Sequence, residues 1–344
     1  MKVLHLLASN KYSGAENVVC QIINMFIGEV EMAYCSPIGE IESTLKDKEI
    51  KYLPLKEFCG KDLQVAVDEF KPDIIHAHDV RASILASKFH KQCKIISHIH
   101  GNDKRNMGRL TPKSILYQLS TRKYSKIFWV SNSCVDDYFF KAFVKKKSKV
   151  LHNIINIENL YSIAQQDKND YNFDICYLGR LAEIKNPMRA LEIMKQVIEN
   201  NKEIKCAVVG DGDLRNQSEE FIKSNKLENN IKLFGFVKNP YKILQNSKVL
   251  LMSSINEGTP MALLEAFSLG VPLVSTKVDG AVELINDEKM GYLYEENSEA
   301  VDHILKILNS NQKEIKDYLM KFSKEYNDIE KYKNEILNAY KKEK

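Results

Sequence analysis

Along almost the whole chain, short runs rich in β-branched and other apolar residues alternate with longer amphipathic stretches, and this alternation limits the possible folds more than any other feature. Strands that read as continuous apolar runs are buried on both faces, as in a parallel sheet covered by its crossover helices. The strand-like runs of the first half are "KVLHLLA", "EMAYCS", "IKYLPL", "DIIHAH", "KIISHIH", "KIFWVS" and "KVLHN". Helical stretches such as "AENVVCQIINMF", "RASILASKFHK" and "SILYQLSTRKY" separate them. After the polar, weakly periodic segment "IENLYSIAQQDKNDYN" (157–172), the alternation restarts with "FDICYLG", "IKCAVVGD", "IKLFGF", "VLLMSS", "PLVST" and "GYLY".

A chain of 344 residues fits two cores better than one. The expected class is therefore α/β, with two Rossmann-like, doubly wound domains over 1–160 and 170–326 and the polar segment as their linker. Ligands of such sheets bind outside the carboxyl ends of the strands, and those ends are expected to face each other across a cleft. Apolar residues at helical spacing from Ile315 to Phe322 and from Ile329 to Tyr340 mark two further helices, with Asn327 and Asp328 offering an N-cap for the second.

Composition excludes several classes. The 44% apolar and 28% charged content is that of a soluble globular protein, and no apolar run reaches the ~20 residues that span a bilayer. The seven cysteines form no CxxC pair and sit in strand-like runs, so they read as reduced and core-packed, which points to the cytoplasm. The net charge of +4 is modest, but basic residues cluster in "KRNMGRLTPK", "TRKYSK", "KAFVKKKSK" and the "YKKEK" tail. Such runs are either a solvated face or an attraction to an anionic membrane surface, worth about 1 kcal/mol per Lys or Arg.

The stretch "NEGTPMALLEAF" carries two carboxylates, Glu257 and Glu265, around a helix start. Thr259 suits an N-cap and Pro260 the first helical position, where its missing N–H costs nothing. The amides of Met261 and Ala262 then point out of the positive end of the helix, where an anion such as phosphate binds. Carboxylates on either side of bound phosphate repel it, so they are expected to accept hydrogen bonds from hydroxyls instead. A nucleoside diphosphate sugar has that layout of sugar hydroxyls, two phosphates and a ribose diol. An ordinary capped helix with acidic residues near its positive end carries the same spacing.

Other stretches bear on that choice. "YLGRLAEIKNP" sets Arg180 and Lys185 after a strand, two cations suited to a diphosphate leaving group. "NKYSGAENVV" sets Gly14 at the turn into the first helix, where backbone can approach a ligand closely. His76 and His78, and His98 and His100, occupy alternate positions of two strands. Two HxH pairs beside Asp79 and Asp103 raise a metal site, but no HExxH motif or Cys cluster accompanies them. His76 and His78 are expected to pack and bond locally, and His100, before Gly101 at a strand end, to contact substrate. "GDGDLR" fails the GxGxxG fingerprint because Arg215 stands at its third glycine position, and its Asp211-x-Asp213 pair reads as a tight turn.

Taken in order, "SGAENVV", "HIHG", "VLHN", "YLGRLAEIKNP", "VVGDGDLR", "LFGFV" and "NEGTPMALLEAFSLGVPLVSTKVDGAVELI" resemble retaining glycosyltransferases of family 4, which have the GT-B fold. The last block carries an E-x7-E signature as Glu257 and Glu265. The resemblance implies that Glu257 holds donor-sugar hydroxyls, Glu265 the ribose diol, and Arg180 and Lys185 the diphosphate. It gives phosphate and sugar contacts to the chain from Gly258 through Thr259, Pro260 and Met261 to Ala262. Gly14 would approach the phosphates, His100 would touch the sugar near the reacting carbon, and Phe236 and Val237 would meet the base.

It further implies sugar transfer with retained anomeric configuration, no metal or other cofactor, and a helix of 327–344 crossing back to the first domain. The pattern departs at "SGAE", where "GGAE" is frequent, and keeps only Gly280 of a usual glycine pair. The resulting expectation is a cytosolic hexosyltransferase. It would use a UDP-sugar to extend a glycan carried on a membrane lipid, in surface polysaccharide synthesis, with an anionic membrane as a further partner. A UDP-sugar epimerase of the same fold would need no acceptor, and an accessory subunit would have no need for both diphosphate cations.

Overall fold

The computed structural model describes residues 1–101 and 103–341; Asn102 and the end of the basic tail, 342–344, lie outside the described residues. The chain divides into two units, Met1–Asn153 with Ile329–Lys344, and Ile154–Asp328.

The first unit holds a sheet of seven strands: β1 (Lys2–Leu6), β2 (Glu31–Pro37), β3 (Tyr52–Leu55), β4 (Ile74–Ala77), β5 (Lys94–Ile99), β6 (Lys126–Trp129) and β7 (Ser148–Val150). All pair in parallel, in the order β3-β2-β1-β4-β5-β6-β7. Alternate residues point to opposite faces. Leu4, Leu6, Ile75, Ala77, Ile95, Ile127 and Trp129 therefore enter one apolar core. The other face carries His5, His76, His98 and Phe128, with ring contacts between them.

The helix Ile329–Tyr340 belongs to this unit and buries Tyr332, Ile336 and Tyr340, a single stripe at i, i+4, i+8. Its Tyr340 ring packs against Phe26 and His76, and the Tyr340 hydroxyl lies 2.9 Å from His76 Nδ1. Asn327 does not cap it. That side chain accepts the Ile155 amide and donates to the Ser323 carbonyl, closing the preceding helix Gln312–Tyr326 instead.

The second unit holds six parallel strands, β8 (Phe173–Leu178), β9 (Cys206–Val209), β10 (Ile231–Gly235), β11 (Ser247–Met252), β12 (Leu273–Thr276) and β13 (Gly291–Tyr294), in the order β10-β9-β8-β11-β12-β13. Here the two-residue period is explicit. Ile175, Tyr177, Cys206, Val208, Val249 and Leu251 fill one core, and the intervening Cys176, Ala207, Val209, Leu250 and Met252 fill the other. The expected linker is not one. Ile157–Gln166 is a helix capped by the Asn156 side chain, with Leu160 and Ala164 buried and the Tyr161 hydroxyl bonded to the Ser268 carbonyl. Its apolar face is too narrow to register as a period.

The fold is thus two Rossmann-like parallel-sheet units. Six of the seven cysteines are buried and none is in a disulfide. Among the described residues no helix is long and apolar enough to cross a membrane.

Candidate functional site

In the second sheet the strand order reverses between β8 and β11, and a ligand crevice forms where such an order reverses, beyond the carboxyl ends. The loops leaving β8, β9 and β10 interlock there. Leu181 N–H donates to Asp211 O and Leu214 N–H to Leu181 O, both at 2.9 Å, and Gly210 N–H donates to Gly235 O. Gly210 has φ +143°, and a Cβ on it would lie 1.9 Å from Gly179 O. The first glycine of "GDGDLR" thus serves close packing of two loops. Asp211 is engaged by the Gly212 amide and Arg215, and behaves as the turn residue expected of it.

The loops after β8 and β11 are tied together in the same way. Ile255 N–H donates to Ile184 O at 2.9 Å, and Ser253 Oγ donates to the Asn186 carbonyl at 2.7 Å. Asn186, at φ +47°, caps the helix Pro187–Asn200. This frame brings the Lys185 ammonium onto Glu257 Oε1 as an ion pair, and Ser254 Oγ donates to the same oxygen at 2.9 Å. The pair is largely screened from solvent, with side-chain exposures of 31% and 15%. Arg180, by contrast, is exposed, and no ion pair among the described residues engages its guanidinium.

The helix between the two acids is Met261–Ser268, one residue later than the sequence suggests. Pro260, not Thr259, is the N-cap: its φ of −66° is set by the ring, but its ψ is 123°, which is extended. The first intrahelical bonds come from Leu263 and Leu264 to Pro260 O, so the Met261 and Ala262 amides precede the ladder. Gly258, Thr259 and Pro260 are buried. Gly280 explains how. A Cβ there would lie 1.9 Å from Gly258 O and 2.7 Å from both Thr259 Cα and Pro260 Cδ, so the helix entrance rests directly on its Cα.

Glu265, on this helix, is 8% exposed, and burial pushes its carboxyl up to about 7, offset in part by a hydrogen bond from the Tyr241 hydroxyl. Tyr241 opens the helix Tyr241–Gln245 that follows the "GFV" stretch. In that stretch Phe236 is 77% exposed while Val237 is half-buried on the second core. Sequence reading missed Ser254 and Tyr241 as partners of the two glutamates, since their types and spacing carry no signal.

The remaining expected residues belong to the first unit. Gly14 is exposed at the first position of the helix Gly14–Met25, and Ser13 Oγ donates to the buried Glu16 carboxylate. His100 is not isolated: its Nε2 lies 2.9 Å from His78 Nδ1, and burial lowers its pKa to about 3, so the ring is neutral. His76 and His78 do not bond locally. His76 meets Tyr340 near the end of the chain, and His78 joins His100 to His5 of β1, a histidine the pairwise motif did not include. Burial holds these rings neutral as well.

Residues 161–333 match the family of glycosyl transferases group 1, and residues 46–159 match Glycosyltransferase Family 4. The chain belongs to the glycosyl transferases group 1. An uncharacterized glycosyltransferase of Methanocaldococcus jannaschii is 31% identical over 231 residues, covering 61% of this chain and 57% of that protein. The UDP-Gal:alpha-D-GlcNAc-diphosphoundecaprenol alpha-1,3-galactosyltransferase of Escherichia coli is 24% identical, covering 86% and 84%. Among solved structures, Anabaena HepE in complex with UDP superposes with a TM-score of 0.80 at 20% identity, covering 98% and 99%, which is a likeness of GT-B fold.

Proposed function

We propose that this glycosyltransferase moves a hexose from a UDP-sugar to a glycan carried on a membrane lipid, with retention of anomeric configuration, in the synthesis of a surface polysaccharide. The observation that carries the reading is the meeting of Lys185 and Glu257 at the entrance of the helix Met261–Ser268, with Glu265 buried behind it.

In this reading the Met261 and Ala262 amides, Arg180 and Lys185 hold the diphosphate. As the bond between the anomeric carbon and the phosphate oxygen breaks, charge grows on that oxygen, and fixed cations and helix amides stabilise it most in the transition state. Two side-chain cations give this site its countercharge, so the reading calls for no metal ion or other cofactor there. Glu257 accepts hydrogen bonds from sugar hydroxyls and Glu265 from the ribose diol, each worth about 1.5–3 kcal/mol as a charge-assisted bond. The Lys185 ion pair keeps the Glu257 carboxylate neutralised until phosphate competes for the ammonium. Phe236 and Val237 lie under the base. The acceptor hydroxyl attacks from the face the phosphate leaves and gives its proton to the departing phosphate oxygen.

The first unit is proposed to bind the acceptor, with Gly14 and His100 its contacts to substrate. The stretch 104–143 also exposes Leu110, Leu116, Leu119, Phe139 and Phe143 and carries Lys104, Arg105, Arg109, Lys113 and Lys141, of which Lys104, Lys113 and Lys141 pair with Asp137, Asp103 and Asp136. This apolar and basic content suits an anionic membrane on the cytoplasmic side. The E. coli relative's name specifies a UDP-sugar and a diphosphoundecaprenol-linked acceptor, which supports both halves of the reading. The test is a screen of UDP- and GDP-sugars for nucleotide release with and without lipid-linked glycans. Acceptor-dependent release of UDP with an α-linked product is expected. Conversion of UDP-sugar without acceptor, or a β-linked product from an α-linked donor, would overturn it.

A further inference from the structure

The reaction leaves a histidine cluster of the first unit largely unused. His5, His76, His78, His98 and His100 share one face of the sheet across β1, β4 and β5 and the residues that follow them. The register sets His5 beside His76 and His76 beside Ile96, which carries His78 next to His98. The rings stack at centroid distances of 4.2 Å for His76 with His78 and for His98 with His100. Four ring nitrogens there are buried without a hydrogen-bond partner: His76 Nε2, both nitrogens of His98, and His100 Nδ1. Buried polar atoms are ordinarily satisfied, and four exceptions in one cluster point to a ligand.

Two trios of rings offer nitrogens within 4.8 Å of one another, His5 with His76 and His78, and His78 with His98 and His100. In the first trio both His5 nitrogens are engaged, by His78 Nε2 at 2.9 Å and Met32 Sδ at 3.3 Å, and His76 Nδ1 is held by Tyr340. The second trio contains three of the four unpartnered nitrogens, and its His100 is the one partly exposed member, which gives an ion a way in. Neither trio includes a carboxylate, so the donor set suits zinc-class ions and not the oxygen-seeking Mg2+ or Ca2+.

We propose that His78, His98 and His100 form a binding site for a divalent transition metal of the zinc class, with three imidazole ligands and a fourth position for water. At nitrogen–metal distances of about 2.0–2.1 Å tetrahedral ligand nitrogens stand about 3.3 Å apart, so His78 Nδ1 and His100 Nε2 part slightly from 2.9 Å while His98 closes in, movements that ring rotation supplies. His78 coordinates through Nδ1 and keeps its proton on Nε2, where it donates to His5 Nδ1, so His5 fixes the ligand's tautomer and orientation. The ion stands where His78 and His100 now share a hydrogen bond, so its ligands are His78 Nδ1, His100 Nε2 and one of the two unpartnered His98 nitrogens. This inference does not rest on the transferase reading, with which it shares only His100.

The test is titration of the purified, chelator-treated protein with Co2+, read by the visible bands of tetrahedral cobalt. One equivalent is expected to produce the bands, and Zn2+ to remove them. His98→Ala and His100→Ala should each weaken Co2+ binding more than tenfold, while His76→Gln, which removes a ligand of the other trio only, should keep the bands. Circular dichroism checks folding, and if the buried His98 variant fails to fold, the partly exposed His100 variant carries the test. Absence of the bands in the unsubstituted protein, or their survival in folded His98→Ala or His100→Ala, would overturn the site.

Discussion

Replacing Gly280 by alanine tests whether the helix entrance must stay where it is for sugar transfer. The added methyl would lie 1.9 Å from Gly258 O, 2.7 Å from Thr259 Cα and 2.7 Å from Pro260 Cδ. All three are main-chain or ring atoms, so no flexible side chain can move aside. Restoring ordinary contact at 3.4 Å requires a shift of about 1.5 Å in the 258–260 segment or in the helix Asp279–Leu284 that carries Gly280. Overpacking of this kind costs about 1–3 kcal/mol, which lowers the melting temperature of a unit this size by several degrees. The larger effect is on chemistry. A misplacement of about 1 Å at a positioning element costs on the order of 100-fold in rate, and the Met261 and Ala262 amides follow directly from the displaced segment. Gly280→Ala should therefore remain folded at 25 °C yet lose about 100-fold in kcat/KM for nucleotide-sugar turnover. Activity within threefold of the unsubstituted protein, at the reduced melting temperature, would refute the link between this contact and the donor site.

Arg180→Ala should slow transfer by about 100- to 1000-fold, the usual loss for a preorganised charge-stabilising group. Its melting temperature should stay within about 1 °C, because an exposed surface substitution away from structural contacts is nearly neutral. Lys185→Ala should show the same rate loss but, in addition, leave Glu257 without its ammonium partner; unchanged turnover in both would remove them from the diphosphate site. Binding should depend on pH through Glu265. Its carboxyl titrates at about 7, so a ligand that needs the carboxylate binds progressively more weakly as pH falls below 7, approaching tenfold per unit. A nucleotide sugar, whose diphosphate stays ionised over this range, should show that slope by calorimetry, and Glu265→Gln should abolish it; equal slopes would contradict the assignment. In vesicle flotation the protein should rise with anionic but not neutral lipid, and absence from both would end the membrane proposal.

Every strand of both sheets overlaps a run legible in the sequence, and the inner strands such as β1, β4 and β9, buried on both faces, leave an unbroken apolar signature. What depends on contacts between distant segments was not legible. The helix Ile157–Gln166 has only Leu160 and Ala164 buried, too few positions to establish a period. The one-residue shift at Pro260 follows from a ψ that the proline ring does not restrict. Lys185 and Glu257 could be singled out by type and by the strands they follow. Their direct pairing comes from the order β8-β11, which local sequence does not encode. The histidines behaved in the same way: alternation put His76 and His78, and His98 and His100, on one face, but joining them to His5 and Tyr340 required the sheet order and the return of the last helix.

The most direct measurement of the central claim is calorimetric titration of the protein with UDP and with UDP-sugars. The account predicts saturable binding of one nucleotide per chain, weakened at least tenfold by Arg180→Ala and by Glu265→Gln, with the fold intact in each. No heat with any nucleotide, or binding unchanged in both variants, would contradict the claim that a diphosphate is held at the entrance of the helix Met261–Ser268.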